Sequence, residues 1–223
     1  MTGLLESRIE EAKDILKLGS EMSLRFYNKP LLIAYSGGKD SDVVISLALE
    51  SGIPFEVMHS ITTVDAPQTN RHVNKVFAEL TDKGIHCEKH IPMYKGEVTN
   101  MWKLIELKGP PTRLVRYCCK VLKETAAPNR LISLGVRAKE SKNRRIWDSF
   151  EIVKKDKRNA KRFSYDHAKE VYEEAQVMPE VYDCTLITRA KENGKLACNP
   201  IIHWSDGDVW DYIRERESSK PVI

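Results

Sequence analysis

A short apolar run that leads into two glycines constrains the fold of this chain more than any other feature. Leu31–Tyr35 is bounded by Pro30 and Gly37, and a helical pattern of apolar residues follows over 41–50. A run this short and this continuously apolar is typical of a strand that is buried on both faces, as in a parallel sheet. Strand, glycine turn and helix together predict the first unit of an α/β domain.

The same alternation continues along the chain. Further strands are predicted over 54–60, 85–91 and 131–136, and helices over 4–27, 68–83, 98–108, 119–126 and 166–177. Strands separated by helices imply right-handed βαβ units. We therefore predict a doubly wound α/β fold, with a mainly parallel sheet, helices on both faces and a helical C-terminal extension within 199–215.

The sequence suggests three parts of unequal size. Residues 1–28 form an N-terminal helix, residues 29–215 form the nucleotide-binding α/β domain, and residues 216–223 form a tail. Within the domain, residues 137–198 are predicted to be a basic and partly irregular insertion. Its first part, 137–162, contains eleven Lys or Arg and four acidic residues. We expect a loop or a mobile helix there, either as a solvated face or as a cover over an anionic substrate.

Composition narrows the class of protein. Hydrophobic residues make up 41% and charged residues 30% of the 223-residue chain, whose formal net charge is +4. No apolar run approaches the roughly 20 residues that cross a membrane, and the N-terminus lacks the apolar core of a secretory signal. We expect a cytoplasmic protein without a membrane partner. Its five cysteines are then core thiols, redox thiols or metal ligands rather than a disulfide framework.

The turn after the first strand has the composition of a phosphate-binding site. Glycines allow backbone angles that other residues avoid and let a ligand approach closely, and the N–H groups of the following helix carry partial positive charge. The Walker pattern is absent. The alternative is a tight turn in which the glycines serve geometry alone. The predicted phosphate-binding residues are Ser36, Gly37, Gly38, Lys39, Asp40 and Ser41.

Five segments resemble, in order, the motifs of the phosphoadenosine phosphosulfate (PAPS) reductase family within the ATP-pyrophosphatase superfamily. The resemblance covers about residues 25–215 and implies the adenine nucleotide alpha-hydrolase-like fold. It also implies an adenine nucleotide as ligand: PAPS, adenylyl sulfate (APS) or ATP. The segments are Ala34–Ser41, Thr63–Thr69, Arg116–Lys120, Gly135–Ser141 and Asn199–Trp204.

The resemblance also assigns roles to residues beyond the turn. Family members grip adenine with the segment after the second strand, which makes Ser60, Thr62 and Asp65 nucleotide-binding candidates, although Asp65 is equally compatible with a solvated loop. Gly135 would let the backbone approach the nucleotide. Arg137 would bind phosphate or sulfate oxygens in a bidentate manner, the alternative being a surface salt bridge. Further anion-binding candidates are Arg116, Lys120 and Arg144, and the catalytic candidates are Lys39 and Arg137.

Cysteines separate this chain from parts of the family. Some relatives bind a four-iron cluster with a Cys-Cys pair and a later Cys-x-x-Cys. The corresponding residues here are Cys118, Cys119, Cys184 and Cys198, with thirteen residues between the last two. They would hold an iron–sulfur cluster or zinc, or remain reduced thiols. Family reductases also carry a nucleophilic cysteine near the C-terminus, so the tail is either truncated or the chemistry differs.

Three functions follow from the resemblance. The first is a sulfonucleotide reductase that reduces PAPS or APS with a thioredoxin-like partner. The second is an ATP pyrophosphatase that adenylates a nucleic-acid target for sulfur insertion, as in tRNA thiolation or DNA phosphorothioation, with Mg²⁺ bridging the phosphates near Asp40. The third is a nucleotide-binding module without catalysis.

Overall fold

The chain alternates strands and helices from its first helix to its last. The computed structural model describes residues 3–112, 114–124, 126–154, 161–177 and 194–218. The helices are α1 (Gly3–Tyr27), α2 (Lys39–Ser51), α3 (Pro67–Asp82), α4 (Met101–Lys108), α5 (Tyr117–Cys119, continued by a π-helical turn over Lys120–Glu124), α6 (Tyr165–Val177) and α7 (Asp206–Ser218). The strands are β1 (Leu31–Ala34), β2 (Phe55–Ser60), β3 (Cys87–His90), β4 (Met93–Tyr94), β5 (Glu97–Val98), β6 (Leu131–Leu134), β7 (Phe150–Lys154), β8 (Lys161–Phe163) and β9 (Gly194–Cys198).

A seven-stranded sheet organises these elements. Its strand order is β3-β2-β1-β6-β9-β7-β8, and the two short strands β4 and β5 pair separately. The neighbours from β3 to β9 run parallel, whereas β7 is antiparallel to both β9 and β8. The predicted doubly wound and mainly parallel α/β fold is therefore confirmed.

The strand order reverses between β1 and β6, and this point positions the site. From β1 the chain adds β2 and β3 on one side, and it then returns to place β6 on the other side. Ligands of open α/β sheets bind in the crevice beyond the carboxyl ends of the strands at such a reversal. The turn 36–41 follows β1 and Gly135 follows β6, so both lie at this crevice.

The two faces of the sheet are covered differently. Leu31 and Ile33 of β1 join the main core, to which α1, α2 and α3 contribute their apolar sides. Leu32 faces the other way and joins a small cluster with Met58 and Ala126. Because successive side chains of a strand alternate between the faces, the second face has only a thin apolar cover beside the crevice.

Helix α1 lies against the main core along one stripe. Its buried side chains include Ile9, Ile15, Leu16 and Met22, whose spacing is that of one helical face. Among the described residues, no helix combines the length and the apolar character that a membrane crossing requires.

The basic stretch contributes part of the sheet. The prediction of a loop or mobile helix over 137–162 is wrong for residues 150–154, which form β7 between β9 and β8. Phe150 and Ile152 enter the main core on alternate positions of this strand. A period of two gives one buried face of a strand, and this short signal is diluted in the sequence by the many lysines and arginines around it.

Candidate functional site

A cavity of about 650 Å³ opens at the carboxyl ends of β1, β2 and β6. Volumes of a few hundred to about a thousand Å³ are typical of sites for small ligands and cofactors. The wall includes most of the predicted nucleotide-binding residues, namely Ser36, Gly38, Lys39, Asp40, Ser41, Ser60, Thr62, Asp65 and Gly135. Sequence motifs far apart in the chain therefore meet at one cavity.

The hydroxyl of Ser41 holds the turn after β1 in shape. Its Oγ donates to the carbonyl oxygen of Gly38 at 2.8 Å and accepts from the backbone N–H groups of Ser36 and Gly38, each at 3.3 Å. The Ser36 Oγ lies 3.1 Å from it. Because the first N–H groups of a helix have no carbonyl partner within the helix, this turn presents the donors at the start of α2 to the cavity.

Gly37 and Gly135 allow close approaches of the backbone that a side chain would prevent. Gly37 has a φ of +75°, and a Cβ there would lie 2.8 Å from methyl groups of Thr69 and Val73. A Cβ on Gly135 would lie 3.0 Å from backbone atoms of Asp40 and Ser41. The end of β6 thus packs directly against the start of α2, which closes the crevice at the strand reversal.

Two cations and two carboxylates form a network beside the turn. The Lys39 Nζ lies 3.0 Å from both Asp40 and Asp206. The Arg137 guanidinium lies 3.2 Å from Asp40 and 3.1 Å from Asp206, and 3.8 Å from Glu140. Arg137 is buried and does not itself reach the cavity wall. The carboxylates all contact the Nη2 of the guanidinium that the sequence assigned to a phosphate or sulfate, and its Nε has no partner among the described residues.

This network sets the charge state of Lys39. Burial lowers the pKa of Lys39, but hydrogen bonds to Asp206 and Asp40 outweigh burial and raise it. The hydrogen bond from Lys39 is likewise the largest cause of the lowered pKa of Asp206. Lys39 is therefore a full cation at the mouth of the turn, and Asp206 is the anion that neutralises it when the site holds no ligand.

The segment after β2 is held by its own polar side chains. The Asp65 carboxylate accepts from the Thr62 hydroxyl at 2.6 Å and from the Thr62 backbone N–H at 3.3 Å. Thr63 adopts a positive φ of 66°, and its hydroxyl accepts from the N–H of Met101. Asp65 is thus tied into the loop and lines the cavity, rather than extending freely into solvent.

The remaining cation candidates separate into two groups. Arg144 lines the cavity, forms an ion pair with Glu140 and lies over the ring of Trp147 at 5.6 Å. Arg116 and Lys120 lie outside the cavity wall, and Arg116 donates to the Sγ of Cys119 at 3.2 Å. The structure therefore brings Arg144, but not the other two, to the cavity.

The described cysteines lie in different environments. Cys198 is fully buried in the main core, where burial raises its pKa to about 12, and its Sγ would lie 3.0 Å from a Cβ on Gly19. Cys118 packs instead on the cluster of Leu104 and Leu122. Cys184 lies outside the described residues. No group of three or more His, Cys, Asp or Glu within the described segments has the arrangement of a metal site, so Cys118, Cys119 and Cys198 do not fit one shared iron–sulfur cluster or zinc ion.

Several wall residues were not predicted as site residues. They include Glu151, Arg162 and Lys195, which belong to β7, β8 and β9. Asp206, which begins α7 and pairs with Lys39 and Arg137 behind the wall, was also not predicted. The alternation of Phe150, Glu151 and Ile152 is a signal that could have found a strand with one inward-facing carboxylate. The carboxylate of Asp206 gave no such signal, because its importance depends on contacts across about 70 residues of chain.

The buried carboxyl of Glu151 should make the stability of the folded protein decrease as pH rises. Burial raises its pKa above the ordinary value and outweighs the opposing influence of Arg162, Asn199 and Arg144. A carboxyl whose pKa is raised by folding stabilises the native state below its unfolded pKa and loses that contribution as pH rises through the folded pKa. We therefore expect Glu151→Gln to raise the melting temperature relative to the parent protein more at pH 7 than at pH 4. An equal shift at both pH values, measured by calorimetry, would contradict this assignment.

Comparisons with known proteins identify the family of this chain. The model of the phosphoadenosine phosphosulfate reductase domain family matches residues 30–220. An uncharacterised protein of Methanocaldococcus jannaschii is 27% identical over 167 residues, which are 64% of this chain and 33% of that protein. The chain thus spans about a third of the length of this relative.

Two solved structures are similar to this chain at low sequence identity, and the first of them shares its fold. FMN adenylyltransferase of Candida glabrata, in complex with FAD and inorganic pyrophosphate, has a TM-score of 0.50 and 13% identity, covering 98% of this chain and 58% of that one. Yeast FAD synthetase in complex with FAD has a TM-score of 0.48 and 13% identity, covering 95% and 58%. These likenesses concern the fold alone. The family model, however, covers most of the chain, and the protein therefore belongs to the phosphoadenosine phosphosulfate reductase domain family.

Proposed function

We propose that the cavity binds an adenine nucleotide, with its phosphates at the start of α2 and its base beside the second face of the sheet. The observation that carries this proposal is that a phosphate-type turn and an apolar wall share one cavity. The turn contributes Ser36 to Ser41, and the wall beside it includes Met58, Ile132 and Leu134. A nucleotide has the same division into a charged end and a flat apolar end.

The phosphate end offers three kinds of contact. Backbone N–H groups at the start of α2 point toward the cavity, and the helix dipole favours negative charge there. Lys39 supplies a full positive charge beside them. Ser41 acts mainly within the turn, because its Oγ already makes the contacts that hold Gly38 and Ser36 in place. An entering phosphate would compete with Asp206 for Lys39.

The base end offers apolar contact and backbone polarity. Met58, Ala126 and Ile132 provide the apolar surface. Ser60 and Thr62 follow β2 directly, where their backbone groups can meet the polar edge of a base. Asp65 acts here as a positioning residue, because its carboxylate fixes the loop through Thr62.

The reaction that we propose is reduction of a sulfonucleotide, PAPS or APS. Two thiols of a thioredoxin-like reductant would supply two electrons and become a disulfide, with their protons released. The bond between the sulfur and the phosphate oxygen would break, so that the sulfur leaves as sulfite and the oxygen stays on the nucleotide. Membership of the PAPS reductase domain family supports this reaction. Lys39 would stabilise the negative charge that develops on the released phosphate, and Arg137 would hold Asp40 in position.

A second function, cleavage of ATP to pyrophosphate and an adenylated acceptor, is favoured by the charge of the cavity. Lys123, Arg144 and Arg162 line it in addition to Lys39, which suits a polyphosphate or a nucleic-acid acceptor. Mg²⁺ would supply charge neutralisation on the phosphates. Asp40 fits poorly as its ligand in the present arrangement, because Lys39 and Arg137 already hold its carboxylate.

Two turnover assays on the same preparation distinguish these functions. In the first, PAPS and APS are incubated with reduced thioredoxin and sulfite is measured. In the second, ATP and Mg²⁺ are supplied with and without tRNA or DNA and pyrophosphate is measured. We expect sulfite release. Pyrophosphate release without sulfite would replace the reductase by the ATP pyrophosphatase, and tight nucleotide binding without either product would leave a binding module.

We expect the native carboxylate of Asp206 to compete with the phosphate for Lys39 and Arg137, and so to weaken nucleotide binding. Its carboxylate lies at about 3 Å from both Lys39 and Arg137, but its side chain is 63% exposed and solvent screens the interaction. Asp206→Asn should therefore lower the Kd of AMP about twofold in calorimetric titration, the size of effect that an exposed pair has. The matched control is Asp211→Asn on the same helix, whose partner is the exposed Arg214. An unchanged or higher Kd in Asp206→Asn would show that Asp206 does not compete with the phosphate.

A further inference from the structure

The cavity continues along the sheet beyond the region needed for a nucleotide. Ile132 of β6 pairs with Ala197 of β9, which pairs with Glu151 of β7, which in turn pairs with Arg162 of β8. Residues that are directly paired across strands project from the same face. Ile132, Glu151 and Arg162 all line the cavity, so its wall runs across this row to the edge of the sheet.

The far end of this row carries an excess of positive charge. The cavity wall includes Arg144, Arg162 and Lys195, opposed by Glu140 and Glu151. Burial, together with the nearby cations Arg116 and Arg137, lowers the pKa of Arg144, as expected where positive charges are close together. We call the three residues Glu151, Arg162 and Lys195 the far-end cluster.

Two buried polar atoms of this cluster lack a hydrogen-bond partner among the described residues. They are the Oε1 of Glu151 and the Nε of Arg162. The Glu151 residue is only 2% exposed. Buried polar groups are nearly always hydrogen-bonded in folded proteins. The Nε–H of Arg162 on the cavity wall therefore calls for an acceptor, which an oxyanion would supply, whereas the Oε1 of Glu151 calls for a donor.

Distance separates Arg162 of the far-end cluster from the phosphate turn, and Arg144 lies between them, close enough to interact with both Asp40 and Glu151. The turn follows β1, and β8 is four strands away in the sheet order. At about 4.8 Å between neighbouring strands, the two backbones lie about 19 Å apart. One phosphate group held at the turn cannot reach both, because an arginine side chain spans only part of that separation.

We propose that the far-end cluster binds an oxyanion of a second substrate, which enters beside the nucleotide. This proposal rests on the proposed nucleotide site and extends it. Arg162 and Lys195 would donate hydrogen bonds to sulfate, phosphate or carboxylate oxygens, and Glu151 would hold the Arg162 guanidinium in position across the strand pair. The second substrate would thereby be placed on the same sheet face as the nucleotide.

Inorganic sulfate is the probe of this cluster. The nucleotide end is first filled with adenosine 5′-(α,β-methylene)triphosphate, which covers the phosphate turn, and sulfate is then titrated while side-chain NMR signals of arginine are followed. We expect sulfate to bind alongside the nucleotide. Arg162→Gln should raise the sulfate Kd at least fivefold and change the nucleotide Kd less than twofold. Arg214→Gln, an exposed arginine on α7, is the control and should change neither.

Each other outcome has a defined meaning. If Arg162→Gln and Arg214→Gln bind sulfate equally, or if sulfate only competes with the nucleotide, the far-end cluster is not a second subsite. If Arg162→Gln weakens the nucleotide and not sulfate, the cluster serves the nucleotide's own terminal group and the second-substrate proposal is wrong. If no nucleotide binds but sulfate still depends on Arg162, the proposed nucleotide function fails and the subsite remains. Lys195→Gln on β9 provides a second variant with the same expected direction, should Arg162→Gln not fold.

Discussion

Replacing Arg137 with methionine is expected to lower the free energy of unfolding by about 3 kcal/mol, the lower part of the range for breaking a buried ion pair. The Arg137 side chain is 7% exposed and bridges Asp40 and Asp206 at 3.2 Å and 3.1 Å. Methionine fills a similar volume without the charge, so Asp40, which is 16% exposed, would remain as a poorly solvated anion. Removing one partner of such a pair costs more than the pair itself contributes.

The same substitution should weaken nucleotide binding, because Asp40 lies within the phosphate turn and would lose one of the two cations that hold it. Urea unfolding gives the stability, and calorimetric titration of AMP gives the Kd. Arg137→Lys keeps the positive charge but loses the forked guanidinium. It should therefore lower stability and weaken AMP binding less than Arg137→Met does. A stability loss below about 1 kcal/mol in Arg137→Met would show that the pairs contribute as little as exposed ones do.

Adding one methyl group at Gly135 is expected to weaken nucleotide binding about tenfold. The new Cβ would lie 3.0 Å from the carbonyl carbon and oxygen of Asp40 and from the nitrogen of Ser41. These are backbone atoms at the start of α2, so they cannot turn aside as a flexible side chain would. Overpacking of this kind costs about 1–3 kcal/mol. We expect the start of α2 to shift to relieve the clash, which would displace the phosphate turn and weaken nucleotide binding.

Gly207→Ala is the matched control for Gly135→Ala. Both changes add one Cβ, but the Cβ on Gly207 would meet only the Ser205 Oγ at an ordinary 3.6 Å. The control should bind AMP within twofold of the parent protein. Equal Kd values for both variants would mean that the close approach between β6 and α2 does not position the turn.

The phosphate turn could be predicted from sequence because its information is local. Two glycines, a lysine and two hydroxyls lie between one strand and one helix, and the hydrogen bonds of Ser41 all fall within residues 36–41. The strands β1, β2 and β6 were predicted for a similar reason, since each is a short and largely apolar run between turn residues. Their parallel arrangement then brought the motifs to one edge of the sheet.

The partners of Arg137 and the strand β7 could not be predicted in the same way. Arg137 has the sequence context of an anion-binding residue, yet Asp206 reaches it from α7, 69 residues further along the chain. The buried face of β7 consists of Phe150 and Ile152 within a highly charged stretch, so composition there favoured a loop. In both cases the decisive contacts join residues that are far apart in the chain, and the residue pattern of one segment gives no information about them.

The most direct measurement of the central claim is a crystal structure of this protein grown with AMP or ATP. We expect the α-phosphate within hydrogen-bonding distance of the backbone N–H groups of Lys39 and Asp40, with the Lys39 side chain turned from Asp206 toward the phosphate. The adenine should lie against Met58 and Ile132. A nucleotide bound elsewhere, or phosphate oxygens that make no contact with the 36–41 turn, would contradict the assignment of this cavity as the nucleotide site.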